Sequence, residues 1–170
     1  MNSDFIPYGR QTITDEDINA VINTLKEPRI TQGEAVPVFE NLIANKVDCN
    51  FSIAVNSATS ALHLACLSLG LTEGDYLWTS PITFVASANC GRYCGAMIDF
   101  VDIDPETGLM SIECLESKLI ESAVHGTLPK IVIPVHLAGN SCEMESIWKL
   151  SKKYDFYIIE DASHAIGGSY

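Results

Sequence analysis

Three short runs in this chain are mostly apolar at consecutive positions: YLWTS at 76–80 up to Trp78, KIVIPV at 130–135 from Ile131, and FYII at 156–159. A strand with one wet face alternates apolar and polar residues, whereas a strand apolar throughout must be covered on both faces. Between such runs lie stretches with apolar residues three and four apart, for example Met144, Ile147, Trp148 and Ser151 ahead of the last strand. Strands of the first kind alternating with helices of the second build an α/β fold, a mostly parallel sheet with helices on both faces. FSIAV (51–55) and AMIDFVDID (96–104) read as further strands, and the strand begun by KIVIPV is read over KIVIPVHLAG (130–139). Thr14 followed by Asp17 predicts a helix N-cap, with Ile18, Val21, Ile22 and Leu25 on its apolar face. Pro28 and Gly33 break that helix, and a second carries Val36, Phe39, Leu42 and Ile43 on one side. NSATSALHLACLSLGL turns directly into a helix, and another follows Pro81 and ends near Gly95.

A chain of 170 residues with 47% hydrophobic and 19% charged residues can bury a sizeable core. Its formal charge of −12 argues against nucleic acid or an anionic membrane as a partner, without excluding a small anion in a local pocket. No apolar run reaches the length of a membrane span, and MNSDFIPYGR has no signal-peptide pattern, so the expected location is cytoplasmic, with reduced thiols. The cysteines at 49, 66, 90, 94, 114 and 142 form no CxxC pair. Cys90 and Cys94 can share a helix face, but no histidine stands at helical spacing beside them, so a core role is expected and a metal is not.

In parallel α/β sheets, ligands sit beyond the carboxyl ends of the strands, and three of those ends carry chemistry. After FSIAV, the small residues Asn56 to Ala61 lead into a helix whose free N–H groups suit a phosphate, with hydroxyls from Ser57 and Thr59. Taken alone, either residue reads first as a plain helix cap. Neither GxGxxG nor GxxxxGK[ST] is present, so neither a dinucleotide site nor a P-loop is indicated. After YLWTS, Phe84 can stack on a flat ring or simply pack in the core. After FYII stand Glu160 and Asp161, and a carboxylate at that depth needs a partner, although one of the two acids can cap the next turn. Phosphate donors, a ring face and a buried acid together fit pyridoxal 5′-phosphate (PLP), with the acid on its ring nitrogen.

The order and spacing of "IPYGRQTITDEDINAV", "RITQG", "NSATSALHLA", "TSPITFVASANC", "VDID", "PVHLAGNSCEMESI" and "IIEDASHAIGGSY" resemble the DegT/DnrJ/EryC1/StrS sugar aminotransferases over essentially the whole chain. That resemblance implies the PLP-dependent transferase fold type I, which is aspartate-aminotransferase-like. Residues 1–50 would be an N-terminal helical segment with a substrate loop, and residues 51–170 the first part of the PLP-binding large domain. "RITQG", "NSATSAL" and "SPITFVASAN" look most like the branch that aminates UDP-4-keto-6-deoxy-N-acetylhexosamines on the route to pseudaminic acid.

The resemblance also implies roles. Ala58 and Thr59 would hold the cofactor phosphate, Phe84 would stack on the pyridine ring, and Asp161 would pair with the ring nitrogen. His164 would hydrogen-bond the phenolic oxygen. Tyr8, Arg29, Ile30 and Thr31 would line the sugar-nucleotide pocket, with Ala58 at its edge. The partners implied are a nucleotide-sugar substrate, an amino-acid donor such as glutamate, and a second copy of the chain in a homodimer.

One departure stands out. The family's Schiff-base lysine lies a short distance downstream of its E-D-A-x-H-A stretch, and none of Lys26, Lys46, Lys118, Lys130, Lys149, Lys152 or Lys153 matches that position. The C-terminal small domain has no counterpart either. The expectation is therefore the N-terminal part of a large domain, inactive by itself. Two alternatives stay open at this point: a lysine-free sugar 3-dehydratase of the same family, and a non-catalytic cofactor-binding subunit.

Overall fold

The computed structural model describes residues 10–169 and separates into two compact units, residues 1–54 and residues 55–170. The first unit holds α1 (Asp15–Leu25) and α2 (Ala35–Lys46). α1 begins where its sequence says it should. The Thr14 hydroxyl accepts the Asp17 N–H at 3.3 Å while the Asp17 carboxylate accepts the Thr14 N–H at 2.7 Å, a reciprocal capping box. Between the helices Gln32 takes a left-handed backbone. Gly33 then passes so close to the Arg29 carbonyl that a Cβ would stand 2.6 Å from its oxygen, so a side chain there requires the turn to shift. The Glu40 carboxylate accepts the Ala54 N–H at 2.7 Å and fastens the end of this unit to α2. The expected apolar rows of both helices form, but neither helix has a buried residue.

The second unit is the sheet. Its elements run α3 (Ala58–Ser68), β1 (Tyr76–Thr79), α4 (Ala86–Tyr93), β2 (Met97–Phe100), α5 (Ile112–His125), β3 (Ile131–Ile133), α6 (Met144–Tyr154) and β4 (Tyr157–Ile158). The strands lie in the order β2-β1-β3-β4, and every pairing is parallel. Alternate side chains feed opposite faces. Leu77, Ile131 and Ile133 pack with Leu62, Cys66 and Cys90 from the α3/α4 side. Trp78 and Val132 pack with Leu115, Leu119, Ile147 and Leu150 from the α5/α6 side. Both faces are thus covered, which is why these strands are apolar at consecutive positions.

Several sequence boundaries are corrected. Residues 51–55 join no sheet among the described residues, and Phe51 and Ile53 are 87% and 80% exposed. An apolar run becomes a strand only beside a partner ladder, and the described residues supply none for FSIAV. The third strand stops at Ile133 rather than 139, because Pro134 has no N–H for the ladder. The chain then makes a short 3₁₀ turn at Leu137–Gly139 with Ala138 in a left-handed conformation. AMIDFVDID keeps a ladder only over Met97–Phe100, after which Ile103 pairs antiparallel with Met110. On α6, Met144, Ile147, Leu150 and Ser151 face the core, while Trp148, expected in that stripe, is half exposed. Cys66, Cys90 and Cys142 are core residues.

Candidate functional site

All four strands are parallel, so their carboxyl ends share one edge of the sheet, and α3 can be oriented against them. Lys130, immediately before β3, donates from Nζ to the Gly70 carbonyl at 2.6 Å, which sets the C-terminal end of α3 at the amino edge. Eleven residues of helix span about 16 Å, so α3 starts at the carboxyl edge. There Ser57 is the N-cap and accepts the Ser60 N–H at 3.2 Å. The capping reading therefore holds for Ser57. It does not use the N–H groups of Ala58 and Thr59, which have no acceptor among the described residues. Two free donors at a helix start are the polar half of an anion site.

Asp161 stands two residues beyond Ile159, the last apolar position of the final strand run, and is 8% exposed. Its backbone prolongs the sheet, because its N–H donates to the Pro134 carbonyl at 3.0 Å and its carbonyl accepts the His136 N–H at 3.1 Å. Its carboxylate is held from two directions. Ser87 on α4 donates from Oγ to Oδ2 at 2.7 Å. Ser163 donates from Oγ to Oδ1 at 2.6 Å and from its N–H to the same oxygen at 3.3 Å. Asp161 thus caps the following turn and still has acceptor capacity left, so the two sequence readings of this acid coexist.

The second acid has a different role. Glu160 is exposed, and its Oε2 lies 2.9 Å from Nε2 of the buried His136. The His136 Nδ1 accepts the Cys142 N–H at 3.1 Å, so Nε2 carries the hydrogen and donates it to Glu160. The imidazole therefore joins the end of β3, the start of α6 and the end of β4.

Phe84 lies in the turn that opens α4, where its carbonyl accepts the Ser87 N–H at 3.3 Å. Its ring is 73% exposed, so the core-packing alternative does not describe it. Since Ser87 touches Asp161, a single helical turn carries the ring face to the neighbourhood of the acid. His164 is an exposed residue of the turn after Asp161. Arg29, Ile30 and Thr31 form the exposed loop between α1 and α2 in the first unit, and Tyr8 lies outside the described residues. The structure thus gathers Phe84 and Asp161 and sets Ala58 and Thr59 on the same edge of the sheet. Ser87, Ser163 and His136 escaped the sequence reading, as did the pairing of Glu160 with His136. Inspecting the end of β3 by the strand-end rule would have found His136, but nothing in the sequence links Ser87 to an acid 74 residues away. A separate groove of about 570 Å³ is lined by Asp104, Ser111, Glu113, Asn140 and Glu143 and includes none of these residues.

The fold is that of PLP-dependent transferases of fold type I, represented here in part. PseC from Helicobacter pylori, an aminotransferase involved in the biosynthesis of pseudoaminic acid, superposes with a TM-score of 0.87 at 31% identity. That match covers 96% of this chain and 43% of PseC. The PLP form of the putative sugar aminotransferase Spr1654 from Streptococcus pneumoniae superposes at 0.84 with 28% identity, over 95% of this chain and 44% of that one. The model of the DegT/DnrJ/EryC1/StrS aminotransferase family matches residues 11–170, and the chain belongs to that family. Among curated relatives, the UDP-4-amino-4,6-dideoxy-N-acetyl-beta-L-altrosamine transaminase of Campylobacter jejuni serotype O:23/36 is 39% identical over 165 residues. The chain spans 43% of that relative's length.

Proposed function

We propose that this chain supplies the cofactor-binding edge of a PLP-dependent aminotransferase that acts on a nucleotide-linked 4-keto-6-deoxy sugar, with glutamate as amino donor. The observation that carries the reading is Asp161: a nearly buried carboxylate at the carboxyl edge of a parallel sheet, oriented by two hydroxyls and retaining acceptor capacity. The residues present fit PLP in kind. Free N–H groups at Ala58 and Thr59 suit its phosphate, the open face of Phe84 suits its ring, and Asp161 suits a protonated ring nitrogen. When bound, the cofactor supplies an electron-withdrawing ring that makes the proton next to the transferred nitrogen acidic.

The chain's own residues have three tasks. Asp161 keeps the ring nitrogen protonated by pairing with it, a charge-assisted hydrogen bond. Phe84 holds the plane of the ring, and the start of α3 fixes its far end through the phosphate. His164 is proposed to donate to the phenolic oxygen. Arg29, Ile30, Thr31 and Tyr8 are proposed to meet the sugar nucleotide. The relationship to the Campylobacter transaminase favours a UDP-linked 4-amino-4,6-dideoxy product.

The test is Asp161→Asn in the full-length protein, which preserves shape and removes charge. Transamination of UDP-linked 4-keto sugars is expected to fall by at least a hundredfold, since loss of a charge-assisted pair costs about 1.5–3 kcal/mol in binding alone and the electron sink as well. Turnover within a few-fold of wild type would remove Asp161 from the ring nitrogen.

A further inference from the structure

The two oxygens of Asp161 are not equivalent. Each carboxylate oxygen can accept two hydrogen bonds. Oδ1 already takes both donors of Ser163, its Oγ at 2.6 Å and its N–H at 3.3 Å. Oδ2 takes only the Ser87 hydroxyl at 2.7 Å among the described residues. One acceptor place therefore remains, and it is on the oxygen that Ser87 holds.

Ser87 is suited to that task. It is 0% exposed, so no water competes for its single hydroxyl hydrogen. It stands on the first turn of α4, and its N–H is bonded to the carbonyl of Phe84. α4 is pressed onto the sheet at Gly91, where a Cβ would lie 2.6 Å from the Ile98 Cδ1 and 3.1 Å from the Leu77 Cδ1. The Ser87 bond is thus the direct link between the turn carrying Phe84 and the strand end carrying Asp161.

We propose that Ser87 is a positioning residue: it fixes the Asp161 carboxylate so that Oδ2 accepts the cofactor's ring N–H, and it sets the register between Phe84 and that oxygen. By sharing Oδ2, the Ser87 hydroxyl also limits how much of its negative charge the ring nitrogen meets. This rests on the role proposed above for Asp161. Ser163 fills the other oxygen and holds the turn that follows, so its hydroxyl matters less to the ring.

The experiment is ¹⁵N NMR of the full-length protein loaded with PLP labelled at the ring nitrogen. Asp161→Asn is expected to move the ring-nitrogen resonance strongly. Ser87→Ala is expected to move it by a smaller but clear amount, and Ser163→Ala by less than Ser87→Ala. The first half-reaction, followed with the amino donor, should slow about tenfold in Ser87→Ala, as expected for one lost hydrogen bond to a charged group. Ser87→Thr should restore both readouts. If the buried site rejects the extra methyl, Ser87→Cys, a weaker donor of similar size, should fall between Ser and Ala. A wild-type resonance in Ser87→Ala, or a larger shift in Ser163→Ala, would overturn the inference and leave Asp161 in place. An unchanged resonance in Asp161→Asn would instead overturn the Asp161 reading itself.

Discussion

Asp161 illustrates how much one side chain can join. Its main chain extends the β3–β4 pairing, Oδ1 closes the next turn, and Oδ2 reaches across to α4. A carboxylate with so many intrachain donors has a defined orientation, which a ring nitrogen requires of its partner. The residues meant for the rest of the cofactor are less constrained, and they can be tested by binding alone. Phe84 has an open face and Thr59 a free N–H at the start of α3. Phe84→Ala and Thr59→Ala should each weaken PLP binding to the full-length protein in equilibrium dialysis. For Thr59, loss of its hydroxyl corresponds to about 1.5–3 kcal/mol if that group meets the phosphate. Unchanged affinity in both would leave Phe84 a surface ring and Thr59 an ordinary first-turn residue.

At the scale of elements, the edge on which the site sits depends on how α3 and α4 lie on the sheet. Gly91 lets α4 approach Leu77 and Ile98 more closely than any side chain would allow. Gly91→Ala should therefore destabilise the protein by about 1–3 kcal/mol in denaturant unfolding, the range for overpacking. It should also weaken PLP binding, because α4 carries both Phe84's turn and Ser87. At the other end of α3, Lys130 bonds the Gly70 carbonyl and the Asp75 carboxylate at 2.8 Å. The Lys130 partner holds the Asp75 carboxyl below its ordinary value of 3.8. A depressed acid contributes stability above its unfolded pKa, and that contribution disappears as pH falls through the folded value. Lys130→Met should thus cost about 0.5–1 kcal/mol at neutral pH, with the difference from wild type shrinking below pH 4. A difference that stayed constant through this range would assign the effect to the lost Gly70 bond or to packing of the lysine stem instead.

For the molecule as a whole, the informative feature is the apolar surface left open. The rows Ile18, Val21, Ile22 and Leu25 on α1 and Val36, Phe39 and Leu42 on α2 are all exposed, as are Phe51 and Ile53. Soluble proteins rarely leave contiguous apolar patches of this kind to water. The 170-residue chain alone should consequently associate or precipitate, whereas the full-length protein should sediment as a dimer at micromolar concentration, the commonest closed oligomer. Analytical ultracentrifugation distinguishes the two, and a fully active monomer would refute the assembly. Among the described residues, no helix is long and apolar enough to cross a membrane.

Local order was legible in the sequence wherever short-range chemistry decides it. The Thr14–Asp17 box, the Ser57 start of α3, the end of α4 just before Gly95 and the parallel, two-sided sheet all follow from residue spacing, because caps and periodicities act within one or two turns. The strand-end rule likewise pointed to Asp161 and Phe84. What the sequence could not contain is which elements become neighbours. FSIAV has the composition of a strand and joins no sheet here, since a ladder needs a second chain segment beside it. Trp148 has the periodicity of a core residue but lies outward, because the helix face is chosen by the elements packed on it. The hydroxyl of Ser87 on Asp161 and the imidazole of His136 on Glu160 bridge distant stretches of chain. Contacts of that kind have no local signature, because only close packing of the folded chain brings the two groups within hydrogen-bond reach.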